Sequence, residues 1–246
     1  MAAIQANGRW TSGKVRSDNP GYPHQGLDNS ETRPKIFLTA TAPVRAEDIQ
    51  VFKQINFIPA EHDRNSAFFG GNPYIPPNIG WPKDSKGTPM LHLATFPASF
   101  FSEHAPHIFI DCGLVVSIFT PYDKISFEYI ESAMNEGGKV IAYQPSDTDR
   151  NEYESPPLPR LSIKVTENPD TDSSQNGTSK INGLPCWIQD EELGGLNYVL
   201  QIDEIDLDNA VPTHKAILVG GLGYLLLKER ISMKDMEAGQ FVIQTS

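Results

Sequence analysis

The stretch Phe68–Asp84, FFGGNPYIPPNIGWPKD, puts three glycines, four prolines and four aromatic residues into seventeen positions. Glycine tolerates backbone angles that other residues avoid, and proline fixes φ while removing an amide donor, so the segment can be neither a long helix nor a central strand. Phe68, Phe69, Tyr74, Ile75, Ile79 and Trp81 offer apolar area worth burying, which predicts an ordered loop packed on a sheet. A second stretch with the same plan, NGLPCWIQ at Asn182–Gln189, lies 112 positions on when Gly71 is matched to Gly183. Each loop carries a tryptophan, Trp81 or Trp187, placed to wedge against the core.

The segments beyond the loops match as well. MLHLATF (Met90–Phe96) is answered by YVLQIDEI (Tyr198–Ile205), and GLVVSIF (Gly113–Phe119) by GLGYLLL (Gly221–Leu227), with 108 positions between the leading glycines. A near-constant offset over several elements predicts an internal duplication. The expected fold is α+β: duplicated strand-strand-helix-strand halves, at about residues 66–145 and 180–246, forming antiparallel or mixed sheets about a pseudo-two-fold. Helices are expected at residues 44–57, where Val44, Val51 and Ile55 form a stripe; after Thr120 and Pro121, ending at Gly137 and Gly138; and at residues 233–239, behind a Ser232–Asp235 capping box. KIFLTATAP (residues 35–43), KVIAYQP (residues 139–145) and FVIQ (residues 241–244) are read as strands. Residues 1–34 are read as a polar arm and residues 35–246 as one domain, interrupted by an acidic, proline-bearing insertion at residues 146–179 in which only LSIKV (residues 161–165) is strand-like.

The 246 residues are 39% hydrophobic and 21% charged, near globular norms. No apolar run approaches the roughly 18 residues of a membrane span, and the first thirty residues lack the apolar centre of a secretion signal, so a cytoplasmic location is expected. Cys112 and Cys186, the two cysteines, exclude a disulfide framework and a zinc site made of cysteines alone. The net charge of −11 is uneven: residues 1–145 hold 12 basic and 14 acidic side chains, residues 146–246 hold 8 and 17. Such a field repels nucleic-acid phosphates and anionic lipid and attracts cationic partners.

Taken together, FFGGNPYIPPNIGWPKDSKGTPMLHLATF, LPCWIQDEE, YVLQIDEID and GGLGYLLL resemble the YwqG-like family of bacterial proteins, over roughly residues 67–245 with a gap at the acidic insertion. Two features depart from that family's pattern. Thr95 stands where an L-A-Q strand would have glutamine, and HKAILVGGLGY replaces a Trp-Gly-Asp ahead of the terminal glycine strand. The resemblance implies an α+β fold and a bacterial origin, and points towards immunity partners of bacterial toxins; it implies no reaction.

No nucleophile elbow, P-loop, H-E-x-x-H or dinucleotide fingerprint occurs, and no catalytic residue, metal ligand set or cofactor is assigned. His104 and His107, with Glu103, His92 and Asp111, are the conceivable metal cluster, although Pro106 prevents the helical spacing that such pairs use. The acidic series Asp203, Glu204, Asp206 and Asp208 is expected along an extended strand end. Together with Glu191, Glu192 and the anchors Trp187 and Tyr153, it forms the expected docking surface of a non-catalytic module for a basic protein partner. Its concrete form is a cytoplasmic immunity protein that neutralises a cationic toxin. The alternative is an enzyme or a small-ligand or metal binder using a cleft between the halves, with Asp203, Glu204, His92 and Gln201 as its groups.

Overall fold

The computed structural model describes residues 50–59, 63–170 and 177–246; the arm expected at residues 1–34 and the strand expected at residues 35–43 lie outside the described residues. In chain order the elements are β1 (Gln50–Pro59), β2 (Phe68–Phe69), β3 (Leu91–Pro97), α1 (Ala98–His104), β4 (Phe109–Ile110), β5 (Val115–Thr120), α2 (Tyr129–Glu136) and β6 (Gly138–Tyr143). They continue with β7 (Leu161–Asp170), β8 (Lys180–Ile181), β9 (Asn197–Asp203), α3 (Glu204–Ala210), β10 (Leu222–Leu227), β11 (Arg230–Ile231) and β12 (Asp235–Gln244). Ten strands close into a barrel in the order β1-β7-β2-β3-β5-β6-β12-β10-β9-β8, with β8 pairing back onto β1; β4 and β11 form a separate parallel pair. Every neighbouring pair in the barrel is antiparallel.

The α+β fold in two clasped halves is therefore incorrect. The sheet closes on itself, and the three helices among the described residues, of seven or eight residues each, are too short to make a layer. The two segments that close it are those read as a helix and as an insertion: β1 and β7 pair at all ten positions, from Gln50 with Asp170 to Pro59 with Leu161. The helical stripe fails because Val51 is 54% exposed while Phe52 and Ile55 are buried; a full ladder to β7 outweighs a weak local preference. On either side of the β6–β12 junction the order mirrors: β5 sits opposite β10, β3 opposite β9, β2 opposite β8 and β7 opposite β1.

Two further helices are corrected. Residues 233–239 run into β12, where Asp235 accepts hydrogen bonds from Lys228 Nζ (2.7 Å) and the Glu237 amide (2.9 Å). Gly239 is not a helix stop: a Cβ there would lie 2.0 Å from the Leu226 carbonyl oxygen, so glycine is what lets β12 approach β10. After β5 the chain stays in a loop until Tyr129, because Asp123 Oδ1 accepts from the amides of Ile125 (2.8 Å) and Ser126 (3.2 Å), a local turn that competes with helix.

β5 and β10 are buried at every position, which requires cover on both faces. One face joins the large core with Phe96, Ile118, Leu225 and Phe241. On the other face of β10 and β12, Leu222, Tyr224, Leu226 and Val242 form a smaller cluster against Trp187, Leu193 and Tyr198. The Phe68–Asp84 loop packs similarly: Trp81 is buried edge-on to Phe119 (5.2 Å, 78°), and its Nε1 donates to the Met90 carbonyl (2.9 Å).

Proline-rich chain carries carbonyls with few amides to offset them, and those carbonyls need donors once buried. Residues 146–160, within the segment read as an insertion, supply them. Arg150 Nη1 donates to the carbonyls of Pro76 (3.0 Å) and Ile79 (2.9 Å), Ser146 donates its amide (2.8 Å) and hydroxyl (3.1 Å) to Tyr74, and Arg160 Nη2 reaches Asn72 (2.6 Å). Arg160 also lies over the Phe68 ring at 3.9 Å. The chain passes beneath this strap at Gly70, where φ is +66° and a Cβ would meet the Pro159 carbonyl oxygen at 2.2 Å. Gly70→Ala is expected to cost about 2 kcal/mol or more in urea unfolding, from backbone strain and overpacking together. Gly80→Ala in the same loop, with nothing within 4 Å of its Cβ, should stay within about 0.5 kcal/mol.

Candidate functional site

The loop that follows β5 meets two others around a pocket of about 140 Å³. Pro121, Tyr122, Asp123, Glu128 and Tyr129 come from this loop and the start of α2; Asp84, Lys86, Thr88 and Pro89 come from the end of the first proline loop; Tyr153, Glu154 and Ser155 come from the strap. All three tyrosines are buried, and each hydroxyl donates to a carbonyl: Tyr122 to Lys215 (3.2 Å), Tyr129 to Ala216 (2.6 Å) and Tyr153 to Tyr122 (3.0 Å). Burial raises all three hydroxyl pKa values, those of Tyr122 and Tyr153 to about 12, so they remain neutral donors. All three tyrosines line the pocket with their hydroxyls committed to the backbone. Four carboxylates, Asp84, Asp123, Glu128 and Glu154, line it against one lysine, Lys86, which pairs with Glu131 (3.4 Å).

The carbonyls that hold Tyr122 and Tyr129 belong to a turn of unusual backbone. Ala216 and Val219 have φ of 60° and 56°, and Gly220 has 78°. Glu204, 5% exposed at the start of α3, gathers this turn: its carboxylate accepts from the amides of Ile217 (3.0 Å), Leu218 and Gly220 (3.4 Å). Such a cradle holds conformations that cost about 1–3 kcal/mol apiece when unsupported. Burial pushes the Glu204 carboxyl up to about 7; the amides of Leu218 and Gly220 pull the other way and nearby Asp208 adds to the rise.

The remaining residues expected at a partner surface are spread over the fold. The acidic series is helical rather than extended, because Asp203 caps α3 by accepting from the Ile205 amide (3.2 Å). Asp206 accepts from the Ser179 amide (2.8 Å), and Asp208 pairs with Lys215 (3.2 Å). Trp187 lies half-buried over Tyr224 (4.5 Å), Glu191 is exposed, and Glu192, also exposed, accepts from Gln244 Nε2 (3.2 Å). Of these residues, only Tyr153 lines the pocket. Missed from the sequence were the pocket's Tyr122, Tyr129, Asp84, Asp123, Glu128 and Glu154; the Asp123-x-x-Ser126 turn is the signal that keeps Tyr122 and Glu128 out of a helix.

The groups proposed for catalysis do not converge either. Gln201 accepts from the Cys186 amide (2.9 Å) and donates to the Thr178 carbonyl (3.0 Å). His92 Nδ1 faces the Gly71 carbonyl (3.0 Å), which can only accept, so Nδ1 carries the proton and Nε2 accepts from the Thr95 hydroxyl (2.8 Å). That fixes a directed chain: Tyr143 donates to Ser117 (2.8 Å), Ser117 to Thr95 (2.7 Å) and Thr95 to His92, all four residues being buried. Thr95, the residue at the glutamine's place, is thus the middle of a saturated polar chain. His104 and Glu103 end α1 at 3.7 Å from each other, His107 meets the Tyr198 carbonyl (3.1 Å), and no group of three His, Cys, Asp or Glu among the described residues could hold a metal ion.

The chain matches no protein-family model and no curated protein. No helix among the described residues is long and apolar enough to cross a membrane.

Two titrations test these environments. Burial lowers the pKa of His92 from 6.5 to about 4, so the unfolded chain binds the extra proton between those values and stability from this group is lost as pH falls through that window. NMR should show the His92 ring neutral and protonated on Nδ1 at pH 5.5, and a doubly protonated ring there would contradict the directed chain. Glu204 has the opposite sign: its pKa is raised from 4.5, so the folded state holds a proton the unfolded chain has shed, and stability falls as pH rises from about 4.5 to about 7. Subtracting the stability–pH curve of Glu204→Gln from that of the wild type should isolate this slope, up to about 3 kcal/mol across the window.

Proposed function

We propose that the chain is a non-catalytic binding module for a basic protein partner, and that the tyrosine pocket receives the cationic head of a lysine or arginine side chain. The observation that carries this is the pocket's composition: Tyr122, Tyr129 and Tyr153 line it together with the carboxylates Asp84, Asp123, Glu128 and Glu154. Aromatic faces and carboxylates both favour a cation, and a small pocket admits one side chain. The overall charge of −11 would speed the encounter with such a partner. The resident Lys86 is engaged by Glu131 (3.4 Å) and by the Glu128 carbonyl (3.5 Å), and the four lining carboxylates outnumber it.

The partner need only be basic. The narrower picture, a cytoplasmic immunity protein neutralising a bacterial toxin, rests on the YwqG-like resemblance in the sequence alone.

Calorimetric titration at low salt with the blocked peptide Gly-Gly-Lys-Gly-Gly, against Gly-Gly-Glu-Gly-Gly, tests the assignment. The lysine peptide should bind and the glutamate peptide should not. Asp123→Asn with Glu128→Gln should weaken lysine binding about fivefold, the sum of two partly exposed charge contacts of about 0.5 kcal/mol each. Equal behaviour of the two peptides would remove the proposal.

A further inference from the structure

Beside the pocket, the four residues between Asp123 and Glu128 expose two large apolar side chains: Ile125 is 90% and Phe127 75% exposed. They are not loose chain. Asp123 Oδ1 holds the amides of Ile125 and Ser126, Ser126 Oγ accepts from the Glu128 amide (3.2 Å), and the Ile130 amide closes onto the Phe127 carbonyl (3.1 Å). The turn is tied at both ends to residues that line the pocket, so its orientation is set by the same contacts that shape the cation site. A fixed turn presenting ring and aliphatic surface to water is the surface expected of an interface anchor.

Resting on the cation-pocket assignment, we propose that Ile125 and Phe127 form its apolar shoulder, and that the partner presents a basic residue flanked by apolar ones. The charge pattern selects this occupant. Asp123 and Glu128 flank the turn and, with Asp84 and Glu154 lining the pocket, outnumber Lys124 within the turn and Lys86 beside it, a balance that disfavours an anionic membrane surface and favours a basic segment whose neighbours can cover Ile125 and Phe127. The turn contributes affinity and the pocket contributes charge selection.

The test uses the full chain with two blocked probes, Gly-Leu-Lys-Leu-Gly and Gly-Ser-Lys-Ser-Gly, alongside the variant Ile125→Ser with Phe127→Ser. Wild type should bind the leucine-flanked peptide at least about tenfold more tightly, as burial of exposed aliphatic area would give. The variant should bind both peptides alike, with the serine-flanked affinity kept within about twofold. If wild type binds the two peptides equally, the shoulder is wrong while the pocket stands; if neither lysine peptide binds, the pocket assignment fails and the shoulder with it. Binding of vesicles containing phosphatidylglycerol that is lost in the variant would assign the turn to a membrane instead. Dimerisation lost in the variant would assign it to a second copy of the chain. Either result overturns the proposal.

Discussion

The architecture depends on keeping the outer flank of a barrel dry. Strands buried on both faces need a second layer, and here that layer is irregular chain whose polar backbone must be satisfied where water cannot reach. Buried strand side chains do this on one loop: Gln201 takes the Cys186 amide, Tyr224 donates to the Cys186 carbonyl, and Gln244 takes the amides of Ile188 (3.2 Å) and Gln189 (3.1 Å). On the other loop, His92 and Trp81 are joined by Arg150 and Arg160 from the strap. Glutamine suits such a task, since one amide group supplies donor and acceptor together.

The same economy shapes the pocket. Tyr122 and Tyr129 are fixed through their hydroxyls to the turn at residues 215–216, Tyr153 is fixed to the Tyr122 carbonyl, and Glu204 fixes the turn. The acidic residues that looked like a partner surface are largely occupied within the fold, in capping α3, bracing the chain at Ser179 and pairing with Lys215. The carboxylates that line the pocket sit on loops, and two of them, Asp84 and Asp123, also shape the turns that carry them; Asp84 accepts from the Thr88 amide at 2.7 Å. Net charge alone does not reveal which acids the fold has already engaged.

What was legible in the sequence was whatever rests on local pattern. The strands at MLHLATF, GLVVSIF and GLGYLLL, and the wedging of Trp81 and Trp187, follow from continuous apolar runs and from aromatic residues in stiff loops. Closure was not legible, because β1 carries Lys53, Gln54 and Asn56 on a strand whose stability comes from a ladder to residues more than a hundred positions away. The acidic series failed for a similar reason: Asp203 is at once the end of β9 and the cap of α3, and a strand that turns directly into a helix leaves no break in the local pattern. Glu204 could not be read as buried at all, since its partners are amides, which every residue but proline possesses.

The β1–β7 ladder also sets an order on synthesis. β2 lacks one neighbour until β7 has been made, and β1 lacks its full set of neighbours until β7 and then β8, ending at residue 181, have left the ribosome. Over that interval the nascent chain carries open strand edges that local contacts cannot seal. Topologies with such distant pairings fold slowly and are prone to sticking together while they wait. The delay between making β1 and making its partners is thus built into a sheet closed through strands far apart in the chain.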